Sequence, residues 1–388
     1  MKLVVVSMIH EAWGGSEELW AAAAEIALQN NDVVIHSALK NGKDYPKIKN
    51  LISKGLVQVI RDQYVPDKKP LLIRAVLKRL YFLKELFINR FNSLEDTDAG
   101  IILYIGTAYS IANDFALISL TKKNNSRLVI NCQLNFEQLI KLSIAQKQKI
   151  ITAYEAAQKV YFVSERNMQV AFKQLGRSFA NAEVIRNPVN ISSTDIVPYP
   201  KNSVPQMAMV GNLVCMHKGQ DIVIKLLSSQ KWRDKEWQLN IYGSGQDEKF
   251  LKELVSSLDM QQKIIFHGKV ADIRKLWSDN HILLMPSHME GMPLAVVEAM
   301  ICGRPVVATD VGGHKEWIDH GIEGYIASSP AQNTFDEALT TAWDYKKHWE
   351  SMGKLAHTKA LNLTDPEAGK TFYEILKEAA RAPGKEKI

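Results

Sequence analysis

Cysteine is scarce in this chain of 388 residues: Cys132, Cys215 and Cys302 stand far apart, with no CxxC pair. An odd, scattered set excludes a disulfide framework and fits a reducing compartment. Long apolar runs are lacking as well. No stretch approaches the ~20 apolar residues needed to span a bilayer. The opening "MKLVVVSMIHEAWGG" has an apolar run too short for a signal-peptide core, and Glu11 follows at once. The expectation is a soluble cytoplasmic protein. Signatures of several chemistries are missing too: there is no GxSxG elbow, no Walker lysine motif and no HExxH. His10, His217, His267, His288 and His314 fall near loops, but none has a partner at metal-ligand spacing, so no metal site is expected. The net charge of +6 is mild. It suits anionic ligands or an anionic membrane surface and does not by itself imply nucleic acid.

What is present is a rhythm. Short apolar runs at Leu3–Ser7, Val33–His36, Ile101–Ile105, Leu128–Ile130 and Lys159–Val163 alternate with helical patterns, the first an Ala-rich stretch from Ser16 to Gln29. Alternation of this kind indicates a parallel sheet with helices on both faces. It breaks near Arg186, where Pro, Ser and Asn accumulate over 190–205, as in an interdomain linker. It restarts at Met207–Val210 and continues through Gln238–Tyr242, Ile264–Phe266, His281–Met285 and Pro305–Thr309. The length is comfortable for two domains, read here as 1–190 and 205–360. In the second, four strands finish in Gly-containing loops that feed helices. Ligands of open parallel sheets collect at those carboxyl ends.

One such loop is "PSHMEGMPLAVVEAMICG" at 286–303. Pro293 suits a first helical turn and Gly303 a helix end. Glu290 and Gly291 then precede a helix that carries Glu298. Free N–H groups at that helix start, with the helix dipole, can hold a phosphate. Two solvated acids are the default reading of a bare ExxxxxxxE. The company it keeps argues otherwise: "GNLVCMHKGQD" sets Lys218 in a Gly-flanked loop at another helix start, and "GGSEE" sets Gly14 and Gly15 at the first helix start of the other domain.

The ordered set G-x-L…KG-x-D, G-x-G, HG, E-G-x-P-L-x-x-x-E-A-M and G-x-P-V-V-A-T-x-x-G-G resembles the nucleotide-sugar-dependent glycosyltransferases of family 4. The resemblance is specific over 205–330 and looser over 1–185, where it rests on "GGSEELW", "YFVSERN" and "VIRNPVN". It implies a GT-B fold, two Rossmann-like doubly wound domains facing a central cleft, with a C-terminal helix at 366–380 packing back on the first. It also implies a retaining sugar transfer, with Glu298 on the ribose hydroxyls and Glu290 on the donor sugar. The backbone of Gly291, Met292, Pro293 and Leu294 would lie beside sugar and phosphates. Lys218 would neutralise the diphosphate, Gly14 and Gly15 would close over it, and Gly268, Lys269 and Val270 would face the base.

Two departures stand out. Asn212 takes the place of a usual Arg, in a loop one residue longer than the common form; this shifts the diphosphate towards Lys218 or Arg304. Many members carry a His near the donor sugar, where "VINCQLNFEQ" offers Gln133, or Asn131 or Asn135, as the hydrogen-bonding group. The expected catalytic set is Glu290, Lys218 and Gln133, with no cofactor and no metal. The expected partners are a nucleotide sugar and a carbohydrate or lipid-linked acceptor of cell-surface glycan synthesis.

Two rivals accompany this reading. A glycoside hydrolase would also use a carboxylate pair, about 5–9.5 Å apart. A non-catalytic nucleotide-sugar-binding protein of the same fold would tolerate Asn212 and the absent His. Finally, residues 68–90 hold Lys68, Lys69, Arg74, Lys78, Arg79, Lys84 and Arg90 among apolar residues at helical spacing. This is either a surface helix with a solvated basic face or a contact with the anionic inner face of the membrane.

Overall fold

The computed structural model describes residues 1–8, 13–39, 45–61, 100–137 and 141–383. The basic 68–90 stretch lies outside the described residues. Among the described residues, no helix is long and apolar enough to cross a membrane.

The first domain is a parallel sheet of β1 (Lys2–Ser7), β2 (Val33–Leu39), β3 (Val57–Arg61), β4 (Ile101–Thr107), β5 (Arg127–Leu134), β6 (Lys159–Phe162) and β7 (Ala182–Val184). Their order is β3-β2-β1-β4-β5-β6-β7. The strands are apolar on both faces because both faces are covered. Along β1, Leu3 and Val5 point into one core with Leu19, Trp20, Ala23 and Ala27. Val4 and Val6 point into the other, with Tyr104, Ile130 and Phe162. Two strands of this sheet escape the sequence reading, because polar residues interrupt the apolar ones in "VQVIR" and "AEV"; so does "GYIA" at Gly324–Ala327 in the second domain.

The second domain repeats the plan. β8 (Gln206–Val210), β9 (Gln238–Tyr242), β10 (Ile264–Gly268), β11 (Ile282–Met285), β12 (Val306–Thr309) and β13 (Gly324–Ala327) are ordered β10-β9-β8-β11-β12-β13. In each domain the chain winds outward from a central strand, then restarts on its other side. The switch points therefore lie between β1 and β4 and between β8 and β11. Strand-end loops diverge there and leave a crevice.

The chain then returns. The helix Ala368–Arg381 lays Phe372, Tyr373 and Leu376 into the first domain's core. Gly369 admits this approach, since a Cβ there would sit 2.6 Å from Ala22 Cβ. Tyr373 donates a 2.8 Å hydrogen bond to Asp32, and Arg127 donates to the Ala382 carbonyl at 3.0 Å. The linker is pinned from the other side: Arg304 donates to the carbonyls of Val197 and Pro198.

Candidate functional site

The crevice at the β8/β11 switch point is built by two loops in contact. After β8 the chain turns through Gly211, exposed Asn212 and the short helix Cys215–Lys218, then through Gly219 at φ +63°. Gly219 is needed twice over. Its backbone is left-handed, and a Cβ would lie 2.3 Å from the Pro286 carbonyl oxygen of the β11 loop. The β11 loop answers with His288 N–H donating to the His217 carbonyl at 2.8 Å. This packing sets the Lys218 ammonium 2.6 Å from Glu290 Oε1.

Glu290 is 7% exposed. Ser287 Oγ donates to the same oxygen at 2.7 Å. Burial works against its charge, but the Lys218 ammonium and these hydrogen bonds outweigh it and hold the carboxyl below its ordinary value. His314 is fully buried, and its Nδ1 lies 2.7 Å from the Thr309 carbonyl. A carbonyl only accepts, so the ring hydrogen sits on Nδ1. Burial also keeps that ring neutral, its pKa pushed down. Gly312 presses on the Glu290 backbone, where a Cβ would come within 2.2 Å of the Glu290 oxygen. Gly313 N–H donates to the Gly291 carbonyl at 3.0 Å.

Two helix starts meet beside this pair. Pro293 is the cap residue of the helix Leu294–Ile301, one position before the first turn where the sequence sets it. In the other domain Gly14, in extended backbone, caps the helix Gly15–Gln29. A Cβ on Gly15 would lie 2.1 Å from Leu294 Cδ1, so the two starts are in contact. Each leaves N–H groups without helical partners. One turn into the helix Leu294–Ile301, Glu298 is half-buried. Burial, with the nearby Glu18 carboxylate, pushes it up to about 8. Glu18 itself is held by Trp13 Nε1 at 2.7 Å and by Lys47.

Gln133, at the end of β5, is buried and exchanges amide hydrogen bonds with Asn187 at 2.7 and 3.2 Å. Its backbone carbonyl oxygen would lie 2.1 Å from a Cβ on Gly291, so the first domain touches the loop after β11 here too. Met292 Sδ accepts from Asn187 N–H at 3.1 Å. Asn131 bonds Gln133, while Asn135 is tied to Tyr109 and to the Asn167 carbonyl. Lys218, Glu290, Gly291, Met292, Pro293, Leu294, Gly15 and Gln133 are thus brought together. Gly268, Lys269 and Val270 lie two strands away, at the end of the edge strand β10 on the same carboxyl edge. Gly243 N–H, at the end of neighbouring β9, donates to the Gly268 carbonyl at 2.7 Å.

Arg304 is a correction. The structure takes it away from any diphosphate: it is fully buried and spends its guanidinium on the carbonyls of Trp277, Asn280, Val197, Pro198, Cys302 and Gly303. A residue missed in the sequence is Arg166, from "VSERN". It pairs across the domains with Asp310 and, within its own domain, with Glu137 at 2.6 Å. Glu137 Oε1 in turn accepts from Gly312 N–H at 2.6 Å. The signal available was position: all three follow strand ends that face the cleft.

Residues 196–359 match the family model described as Glycosyl transferases group 1. An uncharacterized glycosyltransferase of Haemophilus influenzae is 32% identical over 146 residues, 36% of this chain and 40% of that protein. The lipopolysaccharide 1,6-galactosyltransferase of Salmonella typhimurium is 30% identical over 166 residues, 41% of this chain and 45% of that protein. The chain thus spans less than half the length of these curated relatives. Among solved structures, a glycosyltransferase from Rickettsia africae superposes with a TM-score of 0.74 at 17% identity, covering 98% of this chain and 99% of that one. Anabaena HepE in complex with UDP and glucose gives 0.69 at 18% identity, covering 97% and 100%. Both likenesses span the two domains, and the fold is GT-B.

Proposed function

We propose, from the premise that residues 196–359 belong to glycosyl transferases group 1 within a GT-B fold, that this chain is a retaining glycosyltransferase. It moves a hexose from a nucleoside-diphosphate sugar to a glycan, glycolipid or small-molecule acceptor of cell-surface glycan synthesis, without a metal. The observation that carries the reading is the Lys218–Glu290 pair at the β8/β11 switch point, beside two helix starts in contact.

The chemical task is to stabilise a departing nucleoside diphosphate. Lys218, the N–H groups at Gly14–Gly15 and the start of the helix Leu294–Ile301 supply positive charge where negative charge develops. Glu290, held ionised, takes donor-sugar hydroxyls and steadies the oxocarbenium-like carbon. Glu298 takes the ribose hydroxyls, with the base towards Gly268–Val270. Asn212, exposed on the loop after β8, faces the donor from the solvent side. Gln133 fills the hydrogen-bonding place beside the sugar. As the bond from the anomeric carbon to phosphate oxygen breaks, the acceptor oxygen bonds that carbon on the same face. Its proton passes to the leaving phosphate. The reading places the chain in the cytoplasm, with residues 68–90 as its contact with an anionic inner membrane face.

A binding screen of UDP-, GDP- and ADP-sugars, followed by nucleoside diphosphate release from whichever binds, tests this. Glu298→Ala is expected to weaken nucleotide binding, and Glu290→Ala to impair sugar transfer while nucleotide binding persists. Wild-type binding and turnover in both variants would sink the assignment.

A further inference from the structure

We infer that Glu137 is a positioning residue: from the first domain it holds the Gly312 backbone and, through it, the Glu290 loop. The geometry is a short chain of contacts. Glu137 follows β5, at the edge of the cleft. Its Oε1 accepts from Gly312 N–H at 2.6 Å. Its Oε2 accepts from Arg166 at 2.6 Å, and Arg166 also grips the Asp310 carboxylate and donates to the Asp310 carbonyl at 3.0 Å. The first domain therefore holds the 310–312 turn at both ends.

That turn has no slack against the donor loop. Gly312 is left-handed at φ +51°, and a Cβ there would lie 2.2 Å from the Glu290 oxygen and 2.8 Å from Glu290 Cβ. Gly313 N–H donates to the Gly291 carbonyl at 3.0 Å. A displacement of Gly312 is thus a displacement of Glu290. Hydrogen bonds from N–H groups to an ionised carboxylate are among the stronger kind. The Glu137–Gly312 bond exists only when the domains are together, so it ties the position of Glu290 to domain closure. The bonds of Glu137 go to Gly312 and Arg166, and it is not a catalytic residue.

The kinetic half of this inference rests on the glycosyltransferase reading, and the test separates the two. Hydrogen exchange over 286–294 and 306–314 is measured for wild type, Glu137→Ala and Glu137→Gln. Binding of UDP, GDP and ADP and turnover of UDP-glucose, GDP-mannose and ADP-glucose are measured alongside. Glu137→Ala is expected to speed exchange in both segments at least tenfold and to lower kcat at least tenfold, with nucleotide Kd within twofold. Glu137→Gln keeps a carbonyl for Gly312 N–H and is expected to restore protection and most of kcat. Wild-type exchange in Glu137→Ala, or equal loss of protection in both variants, overturns the inference. A wild type that binds none of the nucleotides defeats the glycosyltransferase reading, while the exchange arm still decides the positioning role.

Discussion

Glu298→Gln is the sharpest perturbation available, because it removes one charge and almost no volume. Burial and the Glu18 carboxylate push Glu298 from 4.5 to about 8. Its folded-state pKa is raised, so its stability contribution is fully present below about 4.5 and is lost as pH rises through 8. Each pKa unit is worth ~1.4 kcal/mol. For a half-buried carboxyl, the full cost above pH 8 is then on the order of a few kcal/mol. Glutamine carries no such cost. Thermal melts of the two proteins are expected to agree near pH 5 and to diverge towards pH 8, with the variant the more stable. Nucleotide binding gives the complementary signal. If Glu298 takes the ribose as proposed, the hydroxyls donating to its ionised form favour the charge, so binding near pH 7 is expected to release a proton and to tighten with pH, by up to about tenfold per unit, levelling off above 8. Titration calorimetry in two buffers of different ionisation heat reads that proton directly. Glu18→Gln should shift the whole window to lower pH. Identical stability profiles for wild type and Glu298→Gln, with no proton released on binding, would refute the reasoning.

Two other substitutions separate the site from its scaffold. Gly312→Ala places a Cβ against the Glu290 backbone at a left-handed position; a loss of about 2–4 kcal/mol and of donor turnover is expected, and a variant with wild-type melting and turnover would show that the turn has slack. Arg304→Met leaves a set of buried carbonyls without their donor, for a loss of about 3–5 kcal/mol in denaturant melts. Nucleotide affinity of the folded variant should stay within twofold, and a selective loss of nucleotide binding would contradict the scaffold role.

Much of the fold is local in origin and so was legible. Runs such as "LVVV" and "VVA" are apolar at every position, which only a strand covered on both faces can use. Gly219, Gly291 and Pro293 mark loops whose backbone must approach something closely, and Lys218 and Glu290 stand beside them in the sequence. The sequence by itself determined two parallel sheets with helices on both faces, because these depend on residue type and short spacing. Only the tertiary structure decided which distant groups meet. Arg304 has the charge to serve a phosphate, yet burial among carbonyls commits it to the scaffold. Glu137, Arg166 and Asp310 are ordinary surface charges in the sequence, 29 and 144 residues apart along the chain. They become a bridge between domains because the two sheets present their carboxyl edges to one cleft, and winding order, not local spacing, brings those edges together.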